Sequence, residues 1–185
     1  IQHGDEFHYR TPNSDVLGWI ISRVSGMEVT ELLSDRIWSR MGAEQDAYMT
    51  VDGVGTPFAG GGLSAGLRDL GRFGQIMLNN GEWFGEQIIP EAAIASIRGG
   101  GGLEEFAAAG YADLAGGSYR GQWWIFNNEH GAYAARGVHG QTIYIDPTAE
   151  MVIVRFASFP IAFNSRIDPT SLPAYQAVAE YLIAQ

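Results

Sequence analysis

The chain has 185 residues, 46% of them hydrophobic and 12% aromatic, which is enough for one ordinary domain with a real core. Its formal charge is -10 and all 11 basic residues are arginine, so a phosphate backbone would repel it and nucleic acid is excluded as a partner. No apolar run approaches about 18 residues, so no membrane span is expected, and the lack of cysteine removes disulfides, thiolate nucleophiles and cysteine metal sites while leaving the compartment open.

Ile1 is not an initiator methionine and no basic, apolar leader follows it, so the true N-terminus is expected upstream. Phe7 to Pro12 reads as extended, because Thr11 precedes a proline and is pushed away from the helical region. A helix is predicted next: Asn13 or Ser14 can cap it, Leu17, Ile20, Ile21 and Val24 recur at helical spacing on a face expected to be buried, and Gly26 closes it. Thr30 opens a second helix with a stripe of Leu33, Ile37 and Met41, stopped by Gly42. Asp46 to Gly62 is irregular and glycine-rich. Ser64 suits the N-cap of a third helix through Leu67, Leu70, Phe73, Ile76 and Met77 that stops at Asn79-Asn80-Gly81. A fourth opens at Ile89-Pro90-Glu91 and runs to about Arg98, and the glycines at 99 to 102 lead into a loose, mobile stretch as far as Gly117.

After that the period changes from helical to alternating. Gln122 to Phe126, Thr142 to Ile145 and Met151 to Phe156 read as strands, the last two joined by a turn at Asp146-Pro147-Thr148, and Pro173 starts a closing helix with Tyr175, Val178, Ala179 and Leu182 on one face. The fold class is therefore α+β, with residues 1–117 mainly helical and 118–185 forming antiparallel strands and a C-terminal helix. Trp123 and Trp124 must face opposite sides of their strand, one toward the core and Trp124 toward a cleft.

The stretch from Arg136 to Asp146 places His139 between Gly137 and Gly140 at the mouth of a strand, which reads as the edge of an active site; a structural histidine beside a bulged strand fits the same residues. Gly62-Leu63-Ser64-Ala65-Gly66 matches the nucleophile elbow, with Asp113 and His139 following in triad order, yet no buried strand precedes Ser64 and parallel βα alternation is absent. His3 with His8, or His130 with His139, lack the spacing of a metal site, and the glycine runs lack the lysine of a phosphate loop.

A resemblance adds to these residues. Tyr9-Arg10-Thr11-Pro12-Asn13-Ser14-Asp15-Val16-Leu17-Gly18, then Val24-Ser25-Gly26, resembles a Tyr-x-Asn block and its helix. Trp38-Ser39-Arg40-Met41-Gly42-Ala43, then Gly61-Gly62-Leu63-Ser64 with Arg68-Asp69-Leu70-Gly71-Arg72-Phe73, and finally His139-Gly140-Gln141, follow in matching order. Together they resemble the penicillin-recognising serine hydrolases, nearest the 6-aminohexanoate-dimer hydrolase and esterase branch, over almost the whole chain.

The resemblance implies a β-lactamase/transpeptidase-like fold and an acyl-enzyme mechanism whose Ser-x-x-Lys nucleophile lies on a missing N-terminal part, since this chain has no lysine. It implies that Tyr9 shares the serine proton, that His139 stands for the third-motif lysine, and that the Thr142 N–H is half of an oxyanion hole lined by Gly140 and Gln141. Thr11 where asparagine is common, and histidine for lysine, favour an esterase or amidase acting on a small ester, amide or peptide-like substrate. No metal or organic cofactor is implied, and the compartment would be the bacterial cytoplasm or periplasm. An α/β-hydrolase using Ser64 and a non-catalytic binding module are the alternatives.

Overall fold

The computed structural model describes residue 2 and residues 4–185; His3, one of the histidines weighed above for metal binding, lies outside the described residues. The framework is one antiparallel sheet of five strands in chain order: β5 Ser118–Arg120, β6 Trp123–Ile125, β7 Tyr133–Arg136, β8 Thr142–Asp146 and β9 Met151–Arg155, after short hairpins β1 Tyr48–Met49 with β2 Leu63–Ser64 and β3 Glu82–Trp83 with β4 Glu86–Gln87. Among the described residues six α-helices accompany them: α1 Pro12–Ser25, α2 Val29–Leu33, α3 Leu67–Leu78, α4 Glu91–Arg98, α5 Leu103–Ala108 and α6 Asp168–Ile183.

The strand period of two sorts side chains between two layers. On one face Trp123, Ile125, Tyr133 and Ile145 pack against Met77 of α3 and Ile94 of α4. On the other Ala134, Tyr144 and Met151 meet Tyr175 and Ala179 of α6. Polar groups pin the layers where burial would otherwise be costly. The Tyr133 hydroxyl donates to the Met77 carbonyl at 3.0 Å, and burial pushes that phenol up to about 12. Asp69, 1% exposed, accepts the Glu44 and Gln45 backbone N–H groups at 2.8 and 3.2 Å and Arg72 at 2.9 Å, which anchors the first turn of α3.

Several expectations change. α1 starts at Pro12 with Thr11 as its N-cap, earlier than Asn13 or Ser14, because proline suits the first helical position. Its apolar face is not buried: Leu17, Ile20 and Ile21 are 40–50% exposed and Val24 is 84% exposed, while Gly18 is the buried residue of the helix. The second helix gives way to a π-helical turn over Ser34–Trp38. α3 is capped by Gly66, and Ser64 sits instead in β2 opposite Tyr48. The loose stretch after Gly102 contains α5, held by buried Phe106. β7 went unpredicted because Tyr133 and Ala134 are both buried, so no apolar alternation marks it. α6 begins at Asp168, with Pro169 in its first turn and Pro173 inside it.

Candidate active site

Tyr9 stands three residues before α1, in a stretch without regular structure whose Thr11 is helical in backbone and not extended as expected, and lays its ring on Trp124, centroids 5.6 Å apart and planes 30° apart. Tyr119 meets both edge-on, at 5.9 Å from Tyr9 and 5.1 Å from Trp124. Tyr111 and Phe106 close further edges of the indole, and the Arg136 guanidinium lies 5.1 Å from its centroid. Trp124 is 9% exposed and Tyr9 42% exposed, so the indole is a platform and the phenol is the accessible group on it. Among the described residues no hydrogen bond engages the Tyr9 hydroxyl. Burial, with the nearby Tyr9 phenol adding to it, raises the Tyr111 and Tyr119 hydroxyls, so both remain proton donors across the neutral range. Trp123, as expected, turns to the other face and stacks near Phe73.

The second part of the site is the turn Val138–Gly140 between β7 and β8. His139 takes the left-handed conformation at φ 58, and its Nδ1–H donates to the Phe159 carbonyl at 2.6 Å, while Nε2 has no hydrogen-bond partner among the described residues. Its backbone N–H also bonds the Ala162 carbonyl at 3.2 Å. Gly140, at φ 92, is held by Arg155 Nε on its carbonyl at 2.9 Å, and a Cβ there would crowd Ile167 and Ala157. Gln141 spends its amide on the backbone of Ala157, as donor and acceptor, so it braces the turn and is not a free lining group. The Asn164 amide donates to the Gly137 carbonyl at 3.0 Å.

Thr142 is in an interior strand, opposite Arg136 on one side and Arg155 on the other. The Gly137 N–H bonds the Gln141 carbonyl at 2.9 Å, so by antiparallel alternation the Thr142 N–H points to β9 and not into the cleft. The same alternation turns the N–H groups of Arg136 and Val138 away from β8, on the side where β6 has ended at Trp123. Among the described residues the Val138 N–H has no backbone partner. Tyr9 and Trp124 are thus brought together, as are His139, Gly140 and Gln141, and among the described residues no hydrogen bond joins Tyr9 to His139. Tyr111, Tyr119, Arg136 and Val138 were not legible as site residues, and the strand that carries Tyr119 was not predicted.

The remaining candidates separate from this region. Ser64 lies on an exposed hairpin strand where, among the described residues, no histidine or aspartate is hydrogen-bonded to it, and the five-stranded sheet is antiparallel throughout, which overturns the elbow of a parallel α/β-hydrolase. The buried His130 Nδ1 to Asp146 contact at 2.9 Å ties the turns at the far end of β7 and β8. An open hollow lined by Asn80, Arg98, Asn127 and Asn128 is at that same far end. Among the described residues no group of three His, Asp or Glu side chains is arranged to hold a metal ion.

Comparison with known proteins bears on the fold and the family. The family model described as Beta-lactamase matches residues 1–163. The 6-aminohexanoate-dimer hydrolase of Paenarthrobacter ureafaciens is 40% identical over 156 residues, covering 84% of this chain and 40% of that protein. A Bacillus anthracis structure solved under the provisional name 6-aminohexanoate-dimer hydrolase superposes with a TM-score of 0.88 at 40% identity, over 98% of this chain and 46% of that one. The octameric penicillin-binding protein homologue of Pyrococcus abyssi, 18% identical with a TM-score of 0.71, shares the fold over 96% of this chain and 44% of its own. The chain therefore spans less than half the length of these proteins, and with the family model matching most of it, it belongs to the beta-lactamase family.

Proposed function

We propose that this chain supplies the proton-transfer and substrate-facing half of a serine hydrolase that cleaves ester or amide bonds through an acyl-enzyme. The observation that carries the reading is Tyr9: an accessible phenol with no hydrogen-bond partner among the described residues, oriented by the Trp124 stack in a family of serine hydrolases. The nucleophile and its lysine are assigned to a part of the polypeptide outside these 185 residues, because a Ser-x-x-Lys motif cannot be written in a chain without lysine.

In the proposed cycle the serine Oγ attacks the substrate carbonyl carbon while its proton passes to the Lys/Tyr9 pair. Tyr9 returns a proton to the departing nitrogen or oxygen as the C–N or C–O bond breaks, and water then hydrolyses the acyl-enzyme. A phenol with an ordinary pKa of ~10 acts as a base near neutrality only beside a cation, which is the role of the lysine. The oxyanion donor from this chain is assigned to the Val138 N–H, with the serine's own N–H as the second. His139 offers Nε2 to a polar end of the substrate, and Trp124 with its aromatic neighbours presents an apolar wall. The substrate class is a small-molecule ester, amide or peptide-like compound, and hydrolysis of a 6-aminohexanoate oligomer is the specific form suggested by the Paenarthrobacter relative.

The test is labelling of the active polypeptide with a fluorophosphonate, followed by peptide mass spectrometry, alongside the Tyr9→Phe variant. An adduct on a serine of a Ser-x-x-Lys motif outside these residues, with Tyr9→Phe lowering kcat by at least about 100-fold, is the expected result. Adduct on Ser64, or no adduct and no turnover, would overturn it.

A further inference from the structure

We propose that Gln122 is a positioning residue for Tyr9, its side-chain oxygen clasping the helix that follows Tyr9 to the strand that flanks it. The inference rests on the reading of Tyr9 as the proton-transfer group and adds a residue that the family resemblance did not point to.

The β5–β6 hairpin closes with two residues, Gly121 and Gln122, between the paired Arg120 and Trp123. Both are in the left-handed region, at φ 57 and φ 71. A two-residue turn with positive φ at both centres is the province of Gly, Asn and Asp, and its second centre is the position glycine serves best. A glutamine there carries a backbone cost, since its Cβ meets the strain that glycine avoids, and its side chain makes one bond within the hairpin and one outside it. Its Oε1 accepts the Ser14 hydroxyl at 3.0 Å and the Tyr119 hydroxyl at 2.9 Å.

Both donors belong to elements that bear on Tyr9. Ser14 is in the first turn of α1, five residues beyond Tyr9, and Tyr119 on β5 is the ring that meets Tyr9 edge-on at 5.9 Å and 88°. One carbonyl oxygen thus joins elements more than a hundred residues apart in sequence, and among the described residues the Tyr9 phenol has no hydrogen bond of its own to fix it. The Tyr119 hydroxyl is raised by burial, so it remains a donor over the pH range in which a hydrolase of this kind works. Trp124 sets the plane of Tyr9, and the clasp sets how far α1 can carry that ring along the indole face. The helix is otherwise tied near this end by the Gly60 N–H on Asp15 at 3.0 Å, which holds a loop and not the sheet.

Stability and activity should therefore move apart at this residue. In the full active polypeptide, Gln122→Gly relieves the turn, so Tm is expected at or above the wild-type value. The loosened Tyr9 is expected to lower kcat about tenfold with KM within about twofold, because misplacement is felt in the transition state more than in binding. Ser14→Ala, which removes one donor and leaves the turn alone, is expected to give a smaller fall in the same constant. In a Tyr9→Phe background Gln122→Gly should have no further effect, since the group it positions is gone. The inference is overturned by an unchanged kcat in Gln122→Gly while Tyr9→Phe is inactive, or by an equal fall in both backgrounds. Full activity in Tyr9→Phe would instead overturn the reading of Tyr9 itself.

Discussion

Arg136 shows how one side chain serves packing and site together. Its guanidinium covers Trp124 and pairs with the Asp168 carboxylate at the start of α6, both side chains being less than a tenth exposed. Burial raises the Asp168 carboxyl above its ordinary value, and Arg136 pulls the other way with less effect. A folded-state pKa raised above the unfolded one means that the folded chain holds the proton more tightly, so this group favours folding at acid pH and loses that contribution as pH rises through the raised value. Removing the cation should make the loss larger. Arg136→Met is expected to cost about 3–5 kcal/mol by urea denaturation at pH 8 and less at pH 5, where the stranded carboxyl can take up a proton. Asp168→Asn, which imitates the protonated acid and keeps an oxygen toward the guanidinium, is expected to cost less than Arg136→Met at pH 8. If the Arg136→Met penalty were larger at pH 5 than at pH 8, the order of these effects would be reversed. Neither residue was visible as a partner of the other in sequence, 32 positions apart with no periodicity linking them.

The helices and strands differ in how far their own residues announce them. α3 was legible because its apolar residues recur at helical spacing and Asn79-Asn80-Gly81 stops it, whereas β7 was hidden by burial on both faces and α5 by the glycines before it. What the pattern of α3 could not reveal is how closely it packs on the sheet, and two of its glycines separate that effect from intrinsic propensity. A Cβ on Gly71 would meet nothing within 4 Å, while one on Gly74 would come within 2.5 Å of Val152 Cγ1 and 3.2 Å of Ile143 Cγ2. Val152 is β-branched and stiff at χ1, so it has little room to turn away. Gly71→Ala should therefore stabilise the fold by about 0.5–1 kcal/mol through helix propensity and a less flexible unfolded chain. Gly74→Ala should destabilise it by about 1–3 kcal/mol through overpacking, although the same propensity gain applies. Denaturant midpoints of the two variants check this directly; equal shifts of the same sign would mean that α3 and β9 are not in the close contact described.

At the scale of the whole molecule the chief misreading was about what α1 packs against, and it has a physical cause. Leu17, Ile20, Ile21 and Val24 keep the spacing of a buried face, and periodicity reports that a face is apolar without saying whether its partner lies in the same stretch of chain. Here it does not: Val16, Trp19 and those four residues are each at least 40% exposed on one helix. The same limit explains the site. Tyr9, Trp124 and the His139 turn could be named from residue types and resemblance, but the aromatic ring around Trp124 and the direction of the Val138 N–H depend on strand register, which no local pattern encodes. An apolar surface of several adjacent side chains is larger than the scattered exposure normal for a monomer and drives association when left in water. The 185 residues purified alone are therefore expected to self-associate and to enhance the fluorescence of a hydrophobic dye. Replacing Ile20 and Val24 together by glutamate should reverse both, since each introduces a charge at the centre of the face without touching the buried Gly18 side that meets Ala59. Light scattering on the two forms decides it: a wild-type chain that is monomeric and silent to the dye would overturn the reading of α1 as a sticky face, whereas monomerisation by the paired glutamates would identify α1 as the surface through which the chain associates.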